Sequence, residues 1–149
     1  MDCSERKVSI TELGPIIEEQ IANGNEVNLR VSGNSMYPFL VDNETSVLLA
    51  PIDKPLKRKD IVFYKSNNSQ YLLHRIIDII DSQIIIRGDA LKQKEILTES
   101  NMIAKVISFE RKGKTIDVGK KGYLFLVGCW FICFPIRGIL IKTIKKFFY

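Results

Sequence analysis

Ser35, His74 and Asp89 are the residues of this chain whose types and order could do chemistry. Ser35 stands in "VSGNSMYPFL" (31–40), where Gly33, Asn34, Ser35, Met36 and Pro38 separate two apolar runs. A serine hydroxyl is a weak nucleophile at neutral pH. It needs a neighbouring base, and the base needs an acid that fixes its tautomer and stabilises its cation. His74, in "YLLHRIIDI", is the single histidine of the sequence, and Asp89 closes the apolar run "IIIRGDA". Each has a plainer reading. Ser35 could mark a strand end in a tight turn, His74 a packed strand residue, and Asp89 a turn residue. In combination the three are the components of acyl transfer through a covalent intermediate.

The elements that must position them are legible from pattern. Residues 9–24 read as a short amphipathic helix with Leu13, Ile16, Ile17 and Ile21 on one face. Ser9 and Glu12 have capping-box spacing, Pro15 is expected in the first turn, and Gly24 is the expected stop. From 26 to 118 the chain breaks into short runs rich in Val, Ile, Phe and Tyr. These are "EVNLRVS", "TSVLLAPI", "DIVFYKS", "YLLHRIIDII", "SQIIIRGD", "MIAKVISFER" and "KTIDV". Polar turns separate them, which is the signature of a mostly antiparallel β-domain.

Residues 119–149 differ. An apolar run over 122–136 is too short to span a bilayer, for which roughly 20 residues are needed. Pro135 and Arg137 interrupt it, and "RGILIKTIKKFFY" follows, with Ile136, Ile139, Leu140, Ile144 and Phe147 on one face and lysines on others. Apolar plus basic is the composition of an interfacial helix. The expected division is therefore a β-domain with its N-terminal helix over 1–118 and an apolar, basic helical tail over 119–149. The tail, over 122–149, is expected either to meet an anionic membrane surface or to pack on the β-domain as a C-terminal helix pair.

The 149 residues carry 46% hydrophobic and 26% charged side chains, enough for one domain with a core. A net charge of +5 is modest, and with no DNA-reading motif and no Arg-rich arm, nucleic acid is not an expected partner. The polar N-terminus has no apolar h-region, so no cleavable secretory signal is expected. Three cysteines argue against a disulfide framework. Cys129 and Cys133 would share a helix face, but without a second ligand pair no metal is expected. No cofactor is expected either. These features place the protein in the cytoplasm or on a membrane.

In order, "SGNSMYP", "LKRKDIVFY", "LHRI" and "RGDA" resemble the boxes of the signal-peptidase and self-cleaving-repressor superfamily of serine peptidases. The His-Arg-Ile box with a downstream Gly-Asp box is similar to the endoplasmic-reticulum and archaeal type of signal peptidase, which uses His as base. The resemblance spans about residues 26–110. It implies a compact antiparallel β-domain of the signal-peptidase/repressor-peptidase type, with a short N-terminal helix and a C-terminal helical tail. It implies a serine endopeptidase with Ser35 as nucleophile, His74 as general base and Asp89 as acidic partner. Glu95 falls where the His-type enzymes carry a second acidic residue, and is the alternative acid. Gly33, Asn34, Met36 and Pro38 would shape the nucleophile turn, with the Ser35 backbone N–H in the oxyanion hole.

Several positions depart from the family. Gly33 stands two before the nucleophile and offers no hydroxyl, Lys59 precedes Asp60 where the family often has Gly, and the family's usual N-terminal membrane anchor is not expected ahead of the serine. The substrate would be an extended peptide or precursor protein in a groove walled by Met36, Val62 and Phe63, docking by strand addition. The rival expectations are a dedicated cytoplasmic maturation peptidase for a small peptide, and a catalytically idle peptide-binding module of the same fold.

Overall fold

The computed structural model describes residues 10–148. Cys3, and Ser9 with its half of the expected capping box, lie outside them. Helix α1 (Ile10–Ala22) buries Ile17 and Ile21, with Leu13 packed beside them, as the spacing predicts. Ile16 is instead exposed, one residue off that stripe. Pro15 sits inside the helix rather than in its first turn. Its ring removes the N–H that would have bonded one turn back. The stop is where expected: Gly24 N–H donates to Ile21 O at 2.9 Å and Asn25 N–H to Gln20 O at 3.0 Å.

Eight antiparallel strands follow: β1 (Val27–Arg30), β2 (Thr45–Ala50), β3 (Ile61–Lys65), β4 (Tyr71–Ile80), β5 (Gln83–Arg87), β6 (Glu95–Leu97), β7 (Met102–Arg111) and β8 (Lys114–Asp117). They form one sheet in the order β1-β2-β7-β3-β4-β5-β6, with β8 added to β7. The protein is thus mostly antiparallel β with an N-terminal helix and C-terminal helices. Seven strands coincide with the apolar runs of the sequence. β6 has only three residues, too few to show a period.

Alternate residues of β3 feed two different clusters. Ile61 and Phe63 join the main core with α1, β1, β2 and β7, whereas Val62 and Tyr64 join Ile76, Ile84, Ile86 and Leu97. The clusters therefore lie on opposite faces of the sheet.

Helix α2 (Lys121–Ile132) inserts Tyr123, Val127 and Trp130 inward. Tyr123 and Val127 belong to the main core, so the first half of the segment read as a tail packs with the β-domain. A 3-10 turn (Phe134–Ile136) breaks the chain before α3 (Arg137–Phe148), and the two helices meet at a 67° bend. Pro135 and Arg137 thus mark the break that the sequence suggests. Among the described residues no single helix is long and apolar enough to cross a membrane. The apolar stripe expected on α3 is split: Leu140 and Ile144 are half-buried, whereas Ile136, Ile139 and Phe147 are exposed.

Candidate active site

The serine lies in the connection between β1 and β2. Gly33 has φ +90°, a region glycine enters without steric cost, and its N–H donates to Asp42 Oδ1 at 2.8 Å. Tyr37 N–H to Asn34 O (3.2 Å) and Leu40 N–H to Met36 O (3.0 Å) wind the next residues into turns. Tyr37 and Pro38 are joined by a cis peptide. Met36 and Leu40 anchor the turn in the main core, and Ser35 stays half-exposed.

The Gly-Asp turn after β5 is stitched to this connection. Ala90 N–H donates to Ser35 O at 2.9 Å. A Cβ on Gly88 would stand 2.6 Å from that same carbonyl oxygen, so only glycine permits the approach. Two boxes that lie some fifty residues apart in sequence thereby meet backbone to backbone.

His74 and Arg75 are neighbours on β4 and so face opposite sides of the sheet. Arg75, fully buried, binds Asp89 through two parallel bonds: Nε to Oδ1 and a terminal nitrogen to Oδ2, each 2.8 Å. Its remaining donors reach Lys59 O (3.0 Å) and the Tyr123 hydroxyl (2.9 Å). Trp130 Nε1 donates to the Asp89 backbone carbonyl at 2.9 Å. Burial works against the Arg75 cation, but Asp89 outweighs it and holds the guanidinium above its ordinary pKa. Asp89 is thus the anchor of a buried clamp that ties β4, the Gly-Asp turn and α2 together.

His74 pairs across the ladder with Val62 and shares the smaller cluster's face. Its Nδ1 lies 2.9 Å from the Tyr64 hydroxyl, which donates to Glu95 Oε1 at 2.8 Å. A tyrosine has one O–H proton. Because that proton goes to Glu95, Tyr64 must accept from His74 Nδ1–H, which leaves Nε2 with the lone pair. Burial, then the hydrogen bond to Glu95, push the Tyr64 phenol well above its ordinary pKa, so it stays protonated. Burial also pulls His74 below the ordinary imidazole value of 6.5, opposed by the charges of Glu95 and Asp89. The carboxylate connected to His74 by hydrogen bonds is therefore Glu95, through Tyr64, while both Asp89 oxygens are taken by Arg75.

Ser35 and Met36 line a crevice of about 90 Å³ with Leu29, Val31, Leu72 and Leu73, the last two immediately preceding His74 on β4. The Ser35 hydroxyl makes no side-chain hydrogen bond to another described residue. β1 is the sheet's end strand, and β5 begins to pair with β4 only at Arg75. Among the described residues the crevice is thus flanked by one free strand edge on β1 and another along Tyr71–His74. Val62 and Phe63 do not wall it as expected, because both are fully buried, one in each cluster. Lys59, which stands at φ +81°, donates from Nζ to Leu124 O of α2 at 3.1 Å.

Tyr64, Arg75, Tyr123 and Trp130 were not singled out in the sequence. The alternation in "IVFYK" and "LLHRI" does put Tyr64 and His74 on consistent faces, but only the register of β3 against β4 joins them. The fold and the site together define a mostly antiparallel β protein with a half-exposed serine in the β1–β2 connection and a buried His–Tyr–Glu chain across β4, β3 and β6. Neither the comparison with protein-family models nor that with curated proteins finds a match.

Proposed function

We propose that the protein is a serine endopeptidase similar to the signal peptidases. The observation that carries this reading is the chain His74–Tyr64–Glu95, whose histidine sits on β4, the strand whose free edge shares a crevice with Ser35. An extended peptide would add to that edge, where backbone hydrogen bonds give affinity and the apolar lining receives a side chain. Ser35 Oγ would attack the scissile carbonyl carbon as His74 Nε2 takes its proton. The C–N bond then breaks and His74 returns that proton to the leaving amine. Water hydrolyses the acyl-serine with His74 again as base. Tyr64 and Glu95 hold the imidazole with its proton on Nδ1 and stabilise its cation. The Ser35 backbone N–H is the proposed oxyanion donor.

The test is cleavage of a mixed peptide library by the purified full chain, with sites read by mass spectrometry. Ser35→Ala is expected to abolish cleavage at unchanged melting temperature, because a half-exposed hydroxyl without a side-chain bond adds little stability. Retained cleavage by this variant sinks the mechanism.

That the Ser35 hydroxyl makes no side-chain hydrogen bond among the described residues favours a second reading, a peptide-binding module with the same groove and no turnover. Library peptides retained by the wild type without any being cut would select it.

A further inference from the structure

We infer that the outer side of α2 and α3 docks on an anionic phospholipid surface, and that Arg87 and Arg137 receive a lipid phosphate there. The inference stands independently of the peptidase reading. At the 67° bend, Ile132 is 81% exposed, Ile136 51% and Ile139 69%, and Phe134 lies among them partly exposed. Exposed apolar side chains this close together mark an interaction surface rather than scattered surface residues.

Charge states what kind of surface covers it. After Asp117 the sequence has no Asp or Glu, against Lys120, Lys121, Arg137, Lys142, Lys145 and Lys146. An apolar row bordered by cations alone fits a membrane interface with anionic headgroups.

The bend also holds two largely buried cations that form no ion pair with a carboxylate among the described residues. Arg87, from the end of β5, and Arg137, from the start of α3, both stack on the Phe134 ring, with guanidinium carbons 4.2 and 4.4 Å from its centroid. Their residues are only 8% and 3% exposed. Arg137 donates to the Leu91 carbonyl, and among the described residues neither guanidinium has a carboxylate within ion-pair distance. Burial disfavours both charges and Arg87 adds repulsion on Arg137, while the charge of Asp89, itself held by Arg75, offsets part of this at each. A phosphodiester oxygen at this edge would neutralise the pair through the charge-assisted, forked bonds that guanidinium makes with phosphate. The neighbouring isoleucines would meet the acyl chains of the same lipid. A soluble phosphate would use only the first half of this arrangement.

α3 also reaches the serine turn, where Lys145 Nζ stands 5.2 Å from the centre of the Tyr37 ring. A docked molecule would therefore hold the Ser35 crevice close to the lipid surface.

The experiment is co-sedimentation of the full chain with vesicles of phosphatidylcholine alone or mixed equally with phosphatidylglycerol. Binding is expected only with phosphatidylglycerol and is expected to weaken with salt. Each of Lys142→Gln and Lys146→Gln is expected to cost about fivefold, the equivalent of ~1 kcal/mol per basic residue near the surface. Ile139→Ser, at an exposed site that cannot disturb the core, is expected to weaken binding as well. Arg87→Gln, outside the helices, is expected to lose several-fold while its circular dichroism and melting temperature hold or rise. Equal binding to both vesicle types, or no binding, overturns the proposal. Wild-type affinity in folded Arg87→Gln overturns the phosphate site. Displacement from vesicles by millimolar inorganic phosphate would make it a soluble-oxyanion site instead. A lipid-free dimer that Ile139→Ser dissociates would assign the surface to a second copy.

Discussion

Under the proposed mechanism, the carboxylate that serves His74 is chosen by hydrogen bonds to single atoms. Asp89 is the acid the sequence suggests and Glu95 the alternative; the proposed mechanism uses Glu95. Asp89 is held by both oxygens on Arg75, and Glu95 is connected to His74 through Tyr64. Glu95→Gln and Tyr64→Phe are each expected to lower turnover by about 10²-fold or more, since they disturb the group that orients a general base. Asp89→Asn should act differently. It leaves a buried guanidinium without its partner, which costs about 3–5 kcal/mol of stability. Turnover of the still-folded fraction at low temperature should fall far less than for Glu95→Gln. Kinetics alongside denaturant melts separates the two effects, and a larger turnover loss for folded Asp89→Asn restores it as the acid.

His74 also sets a pH dependence. Its folded pKa lies below the unfolded value of 6.5. Above pH 6.5 both states hold it neutral and it adds no pH dependence. As pH falls below 6.5 the unfolded chain takes up the proton first, so stability declines until the folded pKa is passed. His74→Gln is expected to flatten that part of the stability–pH curve, and an unchanged slope would show that other groups carry it.

At the scale of elements, the serine connection and the Gly-Asp turn depend on one close approach. Gly88→Ala puts a methyl against Ser35 O and against the Leu91 side chain, 2.9 Å from its Cδ1. Backbone cannot yield as a flexible side chain does, so the Ala90–Ser35 hydrogen bond should lengthen or break. The expected result is a loss of about 1–3 kcal/mol, the range for overpacking, together with a fall in turnover larger than the stability change explains. A crystal structure of the variant with the 2.9 Å bond intact would contradict this account.

For the whole molecule, the question is whether 119–149 is an appendage. Val127 is fully buried in the main core, Tyr123 accepts from Arg75, and Trp130 donates to the Asp89 carbonyl. Deleting 120–149 would expose that core face and strip two contacts from the clamp. The truncated chain is expected to unfold or aggregate, as read by circular dichroism and gel filtration. Deleting only 138–149 is expected to leave a folded β-domain, because the inward contacts of α2 remain. A stable, monomeric 1–119 fragment would show that α2 is dispensable to the fold.

The sequence by itself determined much of this protein. Short runs rich in Val, Ile, Phe and Tyr located seven strands, Gly24 ended α1, and Pro135 with Arg137 broke the C-terminal helices. Local chemistry of this kind is written in neighbouring residues, since backbone geometry and side-chain alternation act over only a few positions. Tertiary structure alone decided the rest. The register Val62↔His74 put Tyr64 beside the imidazole, and the three residues of β6 carried Glu95 to it. Alternation along "HR" sent Arg75 to the opposite face, where it met Asp89. Packing of both sheet faces buried Val62 and Phe63, which the sequence suggests as groove walls. These outcomes depend on which strand pairs with which and at what offset. That choice is made by burial of both sheet faces at once, and no stretch of sequence records it locally.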